Sequence, residues 1–249
     1  MFKKFLCIVC AIAVWVSVSV AVLAAGSEGA AWSKADGWAV DELERAQVYG
    51  LIPDCIKNQD FTKPITRREF AGVCVKLYEL FTEKTAQAPS VNPFTDTTDV
   101  DALKAFNTDL MIGTAEDKFS PDRELNRQTA ATALTRVLKK CFIDGWTYAT
   151  DNQYTLLFDM PDLFNDDAKI AEDWAKPSVY FMAAKGVIRG KDDGMFAPLD
   201  VAKREEALII ALRMVEQLRG EQLAYEGGDS SGQDLNDGRP VMPSPPKLP

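Results

Sequence analysis

Three arginine residues stand at matching positions in three stretches of the chain that resemble one another. They are Arg67, Arg127 and Arg204. A guanidinium group presents five N–H donors in a planar fork that fits a carboxylate, so repeated arginines indicate recognition of an anion. An exposed cation in the first turn of a helix opposes the helix dipole by roughly 0.3–1 kcal/mol, so helix stability does not explain these positions. Two interpretations remain open: contact with an anionic ligand, or ion pairs with neighbouring acidic residues.

Each arginine opens a segment with the apolar periodicity of a helix. In the first stretch Thr66 is a good N-cap, and Glu69 completes a capping box three residues later. The second stretch has Asn126 and Thr129 at these places and the third has Lys203 at the cap, so the first helix start is the most complete. Apolar residues follow each arginine at the same offsets, which predicts three amphipathic helices. These residues are Phe70, Val73, Cys74, Leu77 and Phe81; Ala130, Ala133, Leu134, Val137 and Leu138; and Ala207, Ile210, Ala211, Met214, Val215 and Leu218.

A second spacing repeats upstream of the arginines. In the first and third copies a tryptophan is followed, at the same distance along the chain, by a glycine. The middle copy has lost both residues and is degenerate. Matched offsets on both sides predict a threefold internal repeat in which each unit is a helix, a loop and a helix. The three pairs are Trp38 with Gly50, Thr97 with Asp109, and Trp174 with Gly186.

The repeat predicts the domain organisation of an all-α protein. The three units are placed at residues 33–85, 92–143 and 161–220. Units of about 50 residues cannot each bury an adequate core, so we expect them to pack on one another. Between the second and third units, residues 144–160 alternate apolar and polar side chains, which predicts a small β-hairpin insertion. Residues 221–249 are rich in Gly, Ser and Pro and predict a disordered tail.

The first 25 residues have the composition of a signal peptide. Lys3 and Lys4 precede an apolar run, and Val22 and Ala24 supply small residues for cleavage. Removal of this segment takes two of the 28 basic residues and leaves 26 against 37 acidic ones, a net charge of −11. An acidic protein does not neutralise phosphates, so nucleic acid is not an expected partner. We expect a secreted protein with no membrane segment after cleavage.

The composition argues against disulfide bonds, a metal site and a nucleophilic catalytic residue. The mature chain keeps Cys55, Cys74 and Cys141, an odd and sparse set that does not form a disulfide framework. The chain has no histidine and no Cys-x-x-Cys pair. These counts argue against a zinc site and against Ser–His or Cys–His catalysis. We expect no cofactor, no metal and no catalytic residue.

The repeated motifs resemble the S-layer homology domain. The first unit carries the helix start Ile65-Thr66-Arg67-Arg68-Glu69-Phe70-Ala71, and three tandem copies are the usual complement of that family. The resemblance implies a pseudo-threefold arrangement around a central helical bundle, with grooves between the repeats. It also implies non-covalent anchoring to the bacterial cell wall through secondary cell-wall polysaccharide, often pyruvylated, or a peptidoglycan-linked polymer. The third unit carries the loop of the family at Ile188, Gly190, Asp193, Gly194, Phe196 and Pro198.

The resemblance also implies site residues. The helix-start arginines are implicated in binding the anionic sugar, and the N–H groups of the same helix starts would complete an anion site. Trp38 and Trp174 match the aromatic position and are either sugar platforms or core anchors. Asp166 matches the Phe-x-Asp start of the family, and Asp96 is a looser counterpart. Arg67 belongs to the most intact motif, so we expect Arg67→Ala to weaken wall binding most.

Two other functions compete with wall anchoring. The degenerate repeats are also compatible with a structural or partner-binding surface protein. A glycosidase needs an acid and a base roughly 5–10 Å apart. The chain has 37 acidic residues, so such pairs arise without any catalytic role. We therefore expect a bacterial cell-surface protein that is not an enzyme.

Overall fold

The computed structural model describes Trp32, residues 34–191 and residues 193–228. Contacts divide the chain into two units, residues 1–33 and residues 34–249. Of the first unit only Trp32 is described, and the described helices and strands all belong to the second. The expected signal peptide and the part of the expected tail after residue 228 lie outside the described residues. Among the helices that are described, none has the length and apolar character needed to cross a membrane.

The described chain is mostly helical, and a short helix is followed by a long one three times. A 3₁₀ turn at Gly37–Ala39 precedes the first pair, and two more, Tyr148–Gln153 and Asp167–Lys169, lie between the second and third pairs. Two three-residue strands complete the elements: β1, Tyr154–Leu156, and β2, Tyr225–Gly227. The α-helices are α1 (Val40–Val48), α2 (Arg67–Thr82), α3 (Val100–Asn107), α4 (Arg127–Phe142), α5 (Lys176–Ala184) and α6 (Arg204–Gln217).

The long helices α2, α4 and α6 begin at the three repeated arginines, and their predicted apolar faces are all buried. The predicted capping box at the start of α2 is present. The Thr66 amide donates to Glu69 Oε2 at 2.9 Å, and the Glu69 amide donates to Thr66 Oγ1 at 3.4 Å. In α4 the Asn126 side chain accepts from the Thr129 amide at 3.0 Å, so this helix keeps half of the cap.

The three short helices end in the same way, because the residue two positions after each helix adopts a left-handed backbone conformation. Gly50, Asp109 and Gly186 follow α1, α3 and α5 with φ of +69°, +62° and +67°. Glycine adopts this conformation without steric cost, and aspartate is one of the few other residues that visit it. Asp109 therefore replaces glycine without changing the turn.

Each short helix packs against a long helix of a different repeat. Helix α3 packs on α2, α5 packs on α4, and α1 packs on α6. The long helix α2 also contacts both α4 and α6. The first repeat therefore contacts the third as well as the second.

Backbone hydrogen bonds join the three predicted repeats in a closed ring just before the long helices. The Ile65 amide donates to the Ala202 carbonyl at 2.9 Å, the Ala202 amide donates to Leu125 at 2.9 Å, and the Leu125 amide donates to Ile65 at 3.0 Å. All three residues are buried, with exposed fractions of at most 1%. Because buried amides need partners, each repeat depends on the other two. We call this set the inter-repeat ring.

The expected hairpin at residues 144–160 is wrong, although a two-stranded antiparallel sheet exists. Strand β1 pairs with β2, with Tyr154 opposite Gly227 and Leu156 opposite Tyr225. Residues 148–153 form a 3₁₀ turn, which opens with a hydrogen bond between the Thr147 amide and Thr150 Oγ1 at 3.1 Å. The partner strand comes from the segment expected to be a disordered tail, so the start of that segment is ordered in the structure.

Candidate functional site

Arg67 and Arg127 occupy equivalent places and hold the loop of the following repeat. Arg67 Nε donates to the Phe119 carbonyl at 2.9 Å, and its Nη2 donates to the Ile112 carbonyl at 2.7 Å. Arg127 Nε donates to Phe196 at 2.8 Å and its Nη2 to Arg189 at 2.9 Å. Each guanidinium also lies over the phenylalanine ring it serves, 4.9 Å and 5.2 Å from the ring centroid. Both side chains therefore position a loop.

The positive charges of Arg67 and Arg127 are not paired. Each residue is 8% exposed, and no carboxylate oxygen of the described chain lies within 4.0 Å of either guanidinium. Burial lowers the pKa of Arg67 to about 10, helped by the like charges of Arg123 and Arg136. Burial lowers the pKa of Arg127 as well. The Nη1 atom of each makes no hydrogen bond to a described residue, so one donor remains for a ligand.

Arg204 differs because its charge is neutralised. Its Nε lies 3.1 Å from both carboxylate oxygens of Glu69, and its Nη2 donates to Glu69 Oε1 at 2.8 Å. Its Nη1 donates to the Asp60 carbonyl at 2.9 Å. The position of Glu69 is held by Thr129 in the second repeat, so Arg67 has no such partner. The ion-pair interpretation thus describes Arg204 and neither of the other two arginines.

The helix starts do not offer free N–H groups, contrary to expectation. The amides of Arg67 and Arg68 donate to the carbonyls of Arg123 and Pro121 at 2.9 and 3.0 Å. Chain segments from neighbouring repeats cover the other two helix starts in the same way. The expected anion site on bare helix amides is therefore wrong, because loops occupy those amides. The remaining pairs are Arg127 with Asp200, Gln128 with Pro198, Arg204 with Lys63, and Glu205 with Phe61, at 3.0–3.1 Å.

Asp96 and Asp166 clamp the loops that the arginines contact. Both oxygens of Asp96 accept backbone N–H groups, from Phe119 at 2.9 Å and Ser120 at 2.8 Å. Asp166 accepts equivalently from Phe196 at 2.7 Å and Ala197 at 2.9 Å. The hydrogen bonds from Phe119 and Ser120 hold the pKa of Asp96 below its ordinary value. These carboxylates fix loop shape, and their oxygens are already engaged by the backbone.

Trp38 and Trp174 are exposed, so the core-anchor interpretation is wrong for both. Their exposed fractions are 56% and 46%. The buried aromatic residues of the loops are Phe61, Phe119 and Phe196 instead. Trp38 follows Asp36, whose carboxylate pairs with Lys203 Nζ at 2.9 Å, and this hydrogen bond lowers the pKa of Asp36. An exposed tryptophan beside charged groups at a junction of two repeats is an available stacking surface.

Trp174 borders a cleft of about 600 Å³ between the second and third repeats. The walls of this cleft come from α4, from residues 148–158 and from the start of α5. Arg136 of α4 lines it, with its guanidinium 4.7 Å from the centroid of the Tyr148 ring. Sequence reasoning missed Arg136 because it lies in the interior of a predicted helix and outside the repeated motif. One signal was present: Lys76 and Arg213 stand at the same offset in the other long helices.

The geometry defines a mostly helical protein with aromatic and cationic groups where the segments predicted as repeats meet. The sequence model of the S-layer homology domain matches residues 163–208 of this chain. The matched segment contains Asp166, Trp174, helix α5 and the start of α6 with Arg204. A domain of this family is a non-covalent cell-wall anchor rather than a catalytic module.

A second comparison is with a longer protein of similar sequence. The chain is 26% identical over 188 residues to Exoglucanase XynX of Acetivibrio thermocellus. The match covers 73% of this chain and 16% of the relative. It therefore extends well beyond the 163–208 segment but concerns a small part of a much longer protein.

Proposed function

We propose that this chain is secreted and anchors non-covalently to the bacterial cell wall by binding anionic secondary cell-wall polysaccharide in the grooves between its repeats. The observation that carries the proposal is the exposure of Trp38 and Trp174 at corresponding positions of the first and third repeats. A tryptophan has an apolar ring face and a polar N–H, so an exposed tryptophan that recurs at one position of the predicted repeat favours a ligand that stacks on it. The match to the S-layer homology domain at residues 163–208 supports the wall as the source of that ligand.

The proposal includes three repeats, at residues 33–85, 92–143 and 161–220, related by pseudo-threefold symmetry. Two features support this arrangement. The short helices α3, α5 and α1 pack on the long helices α2, α4 and α6 in cyclic order. The inter-repeat ring follows the same cyclic order.

The proposed contacts differ from repeat to repeat. Trp38 and Trp174 stack on sugar rings, and Arg67 and Arg127 reach an anionic group through Nη1. Arg204 supports the first repeat through Glu69 and the Asp60 carbonyl. Asp96 and Asp166 hold the loops, and their remaining lone pairs accept from sugar hydroxyls. The second repeat has Thr97 in place of tryptophan, so we expect fewer than three competent grooves.

The proposal is tested by pelleting the protein with purified walls. We expect Trp38→Ala and Trp174→Ala each to weaken binding, and the double variant to weaken it by more than about tenfold, since each base- or sugar-sized stacking contact contributes on the order of 1–3 kcal/mol. Leu199→Ala is the control, because Leu199 is 63% exposed and lies outside these positions. Walls stripped of anionic polymer should not retain the parent protein. Equal retention of the double variant and the parent would contradict the proposal.

The variants Arg67→Ala and Arg204→Ala distinguish an arginine that contacts the ligand from one that only stabilises the fold. We expect Arg67→Ala to give the larger loss of wall binding per unit of lost stability, because Arg67 keeps an unpaired charge. Arg204→Ala should lower stability more, since it leaves Glu69 without its partner. Thermal denaturation of both variants supplies the stability scale. The reverse order of binding losses, at matched folded fraction, would remove Arg67 from the proposed site.

The name of the exoglucanase relative raises a glycosidase as a second candidate, and the extent of the match argues against it. This chain covers 16% of that relative, and its own segment 163–208 matches the model of an anchoring family. We therefore propose anchoring for this chain, with no catalytic residue. Release of reducing ends from purified wall by the pure protein would reverse this conclusion.

A further inference from the structure

We propose that residues 229–249 of this chain, which we call the distal tail, dock into the cleft between α4 and α5 and bring a carboxylate to Arg136. We call this cleft, of about 600 Å³, the Arg136 cleft. The docked tail covers Trp174 and thereby regulates access to it. The inference rests on the proposed function only for the consequence of that cover, and the docking itself is argued from Arg136 and from the place where the tail begins.

Arg136 is an arginine with unused donors. It makes no hydrogen bond and no ion pair to any described residue, and its Nε is fully buried without a partner. Its guanidinium lies 4.7 Å from the centroid of the Tyr148 ring. Burial lowers the pKa of Arg136, and a carboxylate at contact distance would oppose that shift. A buried polar group without a partner is destabilising, so a carboxylate that enters the cleft would stabilise the protein.

The other charged groups of the cleft do not neutralise Arg136. Lys139 pairs with Asp151 Oδ1 at 2.6 Å, and the same oxygen accepts from Trp146 Nε1 at 3.0 Å. Asp173 lines the cleft without pairing with the guanidinium. The charges of Lys139 and Asp151 therefore balance each other, and the charge of Arg136 remains for another group.

The corresponding arginine of α6 already has a carboxylate partner within the chain. Arg213 stands at the same offset from Arg204 as Arg136 does from Arg127. Its Nη2 lies 4.0 Å from Oε1 of Glu42, which belongs to α1. A carboxylate of the distal tail would supply beside Arg136 what Glu42 supplies beside Arg213.

Strand β2 brings the chain to the border of the Arg136 cleft. Tyr154 of β1 lines the cleft and lies opposite Gly227, the last residue of β2. The Gly228 amide donates to the Gln153 carbonyl at 3.1 Å. A Cβ added to Gly228 would lie 2.7 Å from Cε1 of the Tyr154 ring, so the backbone runs directly against this ring. The distal tail therefore begins at a wall of the cleft.

The composition of the distal tail is complementary to the cleft. Residues 229–238 contain three aspartates and no basic residue, and residues 240–246 contain four prolines. A carboxylate fits the planar fork of arginine through two parallel hydrogen bonds. Proline-rich segments bind grooves lined by aromatic side chains. Tyr148 and Trp174, which are 40% and 46% exposed, present such rings at the border of the cleft.

The length of the chain after β2 selects which carboxylate reaches Arg136. An extended chain spans at most about 3.5 Å per residue, so Asp229 stays within about 4 Å of Gly228, whereas Asp234 reaches about 20 Å away. We therefore assign the contact to Asp234 and Asp237. A short flexible tether gives an effective concentration on the order of 1 mM, so even a weak contact with a Kd of about 1 mM would be formed about half of the time.

The docked tail would compete with any ligand that stacks on Trp174. Trp38 belongs to a different junction, which contains Asp36 and Lys203, so docking leaves it uncovered. One of the two exposed tryptophans is then available at all times, and the other only after the tail has left the cleft.

The experiment is NMR spectroscopy of the full chain, which detects contacts between the distal tail and the cleft directly. We expect nuclear Overhauser effects between the ring protons of Tyr148 or Trp174 and the methyl groups of Leu235, Val241 or Met242. We also expect them to persist, with unchanged shifts, over a dilution of about tenfold, because the tail is tethered. Effects that weaken on dilution would mean that the tail enters a second copy, and their absence would mean that it does not dock; either result would overturn the proposal.

Variants connect the docking to the charges. We expect Asp234→Asn/Asp237→Asn and Arg136→Gln each to lower the docking equilibrium constant by at least about tenfold, read from the indole N–H shift of Trp174. Combining the three substitutions should cause no further loss. Asp229→Asn removes the same charge from the start of the tail and is the matched control. Unchanged docking in the Asp234→Asn/Asp237→Asn variant would overturn the proposal, and this variant leaves the sequence of the described chain intact.

Wall pelleting of the same proteins distinguishes the docking from the proposed function. If the tail docks and the Asp234→Asn/Asp237→Asn variant pellets more strongly than the parent, the competition at Trp174 is supported. If both pellet equally, the docking stands and the regulation is overturned. If the tail docks and no variant pellets, wall anchoring fails and the docking stands.

Discussion

Arg67, Arg127 and Arg204 begin three equivalent helices, yet two of them contact backbone carbonyls and the third pairs with a carboxylate. Between Arg204 and Arg67 the difference comes from the neighbouring repeat; Arg127 faces Glu206 at the equivalent place and still makes no ion pair within 4.0 Å. Glu69 stands where Arg204 reaches, while Thr129 stands at the corresponding place for Arg67. Phe61 also lies two residues closer to its helix start than Phe119 and Phe196 do. The chemistry of each arginine is therefore decided by residues far away in the sequence.

The Arg204–Glu69 pair should contribute more to stability than the helix cap that shares Glu69. We expect Glu69→Gln to lower the free energy of unfolding by about 3 kcal/mol, because it leaves a mostly buried guanidinium without its carboxylate. Thr66→Ala removes only the cap and should cost about 1 kcal/mol. Urea denaturation measures both. Equal losses in the two variants would show that the ion pair adds nothing beyond the cap.

Asp96 should make the stability of the folded protein depend on pH in the acidic range. Its pKa is depressed in the folded protein by the N–H groups of Phe119 and Ser120, so its ionised form stabilises the fold above the ordinary value of 3.8. That contribution is lost as the pH falls through the lower folded value. We expect Asp96→Asn to melt at a lower temperature than the parent near neutral pH, with the gap closing below pH 3.8. Asp162→Asn, at an exposed site, is the control, and a gap independent of pH would contradict the assignment.

At the scale of elements, the local pattern predicts which segments are helices and which faces are buried. The offsets after each arginine predict the buried faces of α2, α4 and α6, and Thr66 with Glu69 predicts the start of α2. These features depend on neighbours three or four residues apart. The pairing of β1 with β2, the exposure of Trp38 and Trp174, and the carbonyl partners of Arg67 depend on packing between distant segments. A single sequence contains no local signal for such contacts.

Strand β2 should stabilise the insertion that forms one wall of the Arg136 cleft. We compare a chain ending at Gly220 with a chain ending at Gly228, so that the difference reports residues 221–228 alone. We expect the shorter chain to be less stable by roughly 2 kcal/mol, the burial energy of a leucine-sized side chain, because it loses Leu223. It also loses the ion pair between Lys185 and Glu221. Differential scanning calorimetry measures the difference, and equal stabilities would mean that β1 does not need its partner.

At the scale of the whole molecule, we expect the inter-repeat ring to make the three predicted repeats fold as one unit. Ile65, Leu125 and Ala202 each donate to a different repeat, and α1 packs on α6. We expect a fragment of residues 33–143, which contains the first two predicted repeats, to lack a cooperative unfolding transition. It would leave the Ile65 amide without its acceptor and α1 without its packing surface. A sharp transition in urea with dispersed amide resonances would show that two repeats suffice.

We expect the contact between α1 and α6 also to determine how the described chain responds to tension. Helix α1 begins eight residues after Trp32 and α6 is followed closely by β2, so the first and last helices of the described chain lie against each other. A mechanical load transmitted through both ends of residues 34–228 would act first on this helix pair and on the hydrogen bond between Ile65 and Ala202. We therefore expect the force that unfolds the described chain to be set by the contact between α1 and α6, and the contacts of the middle segment to separate only afterwards.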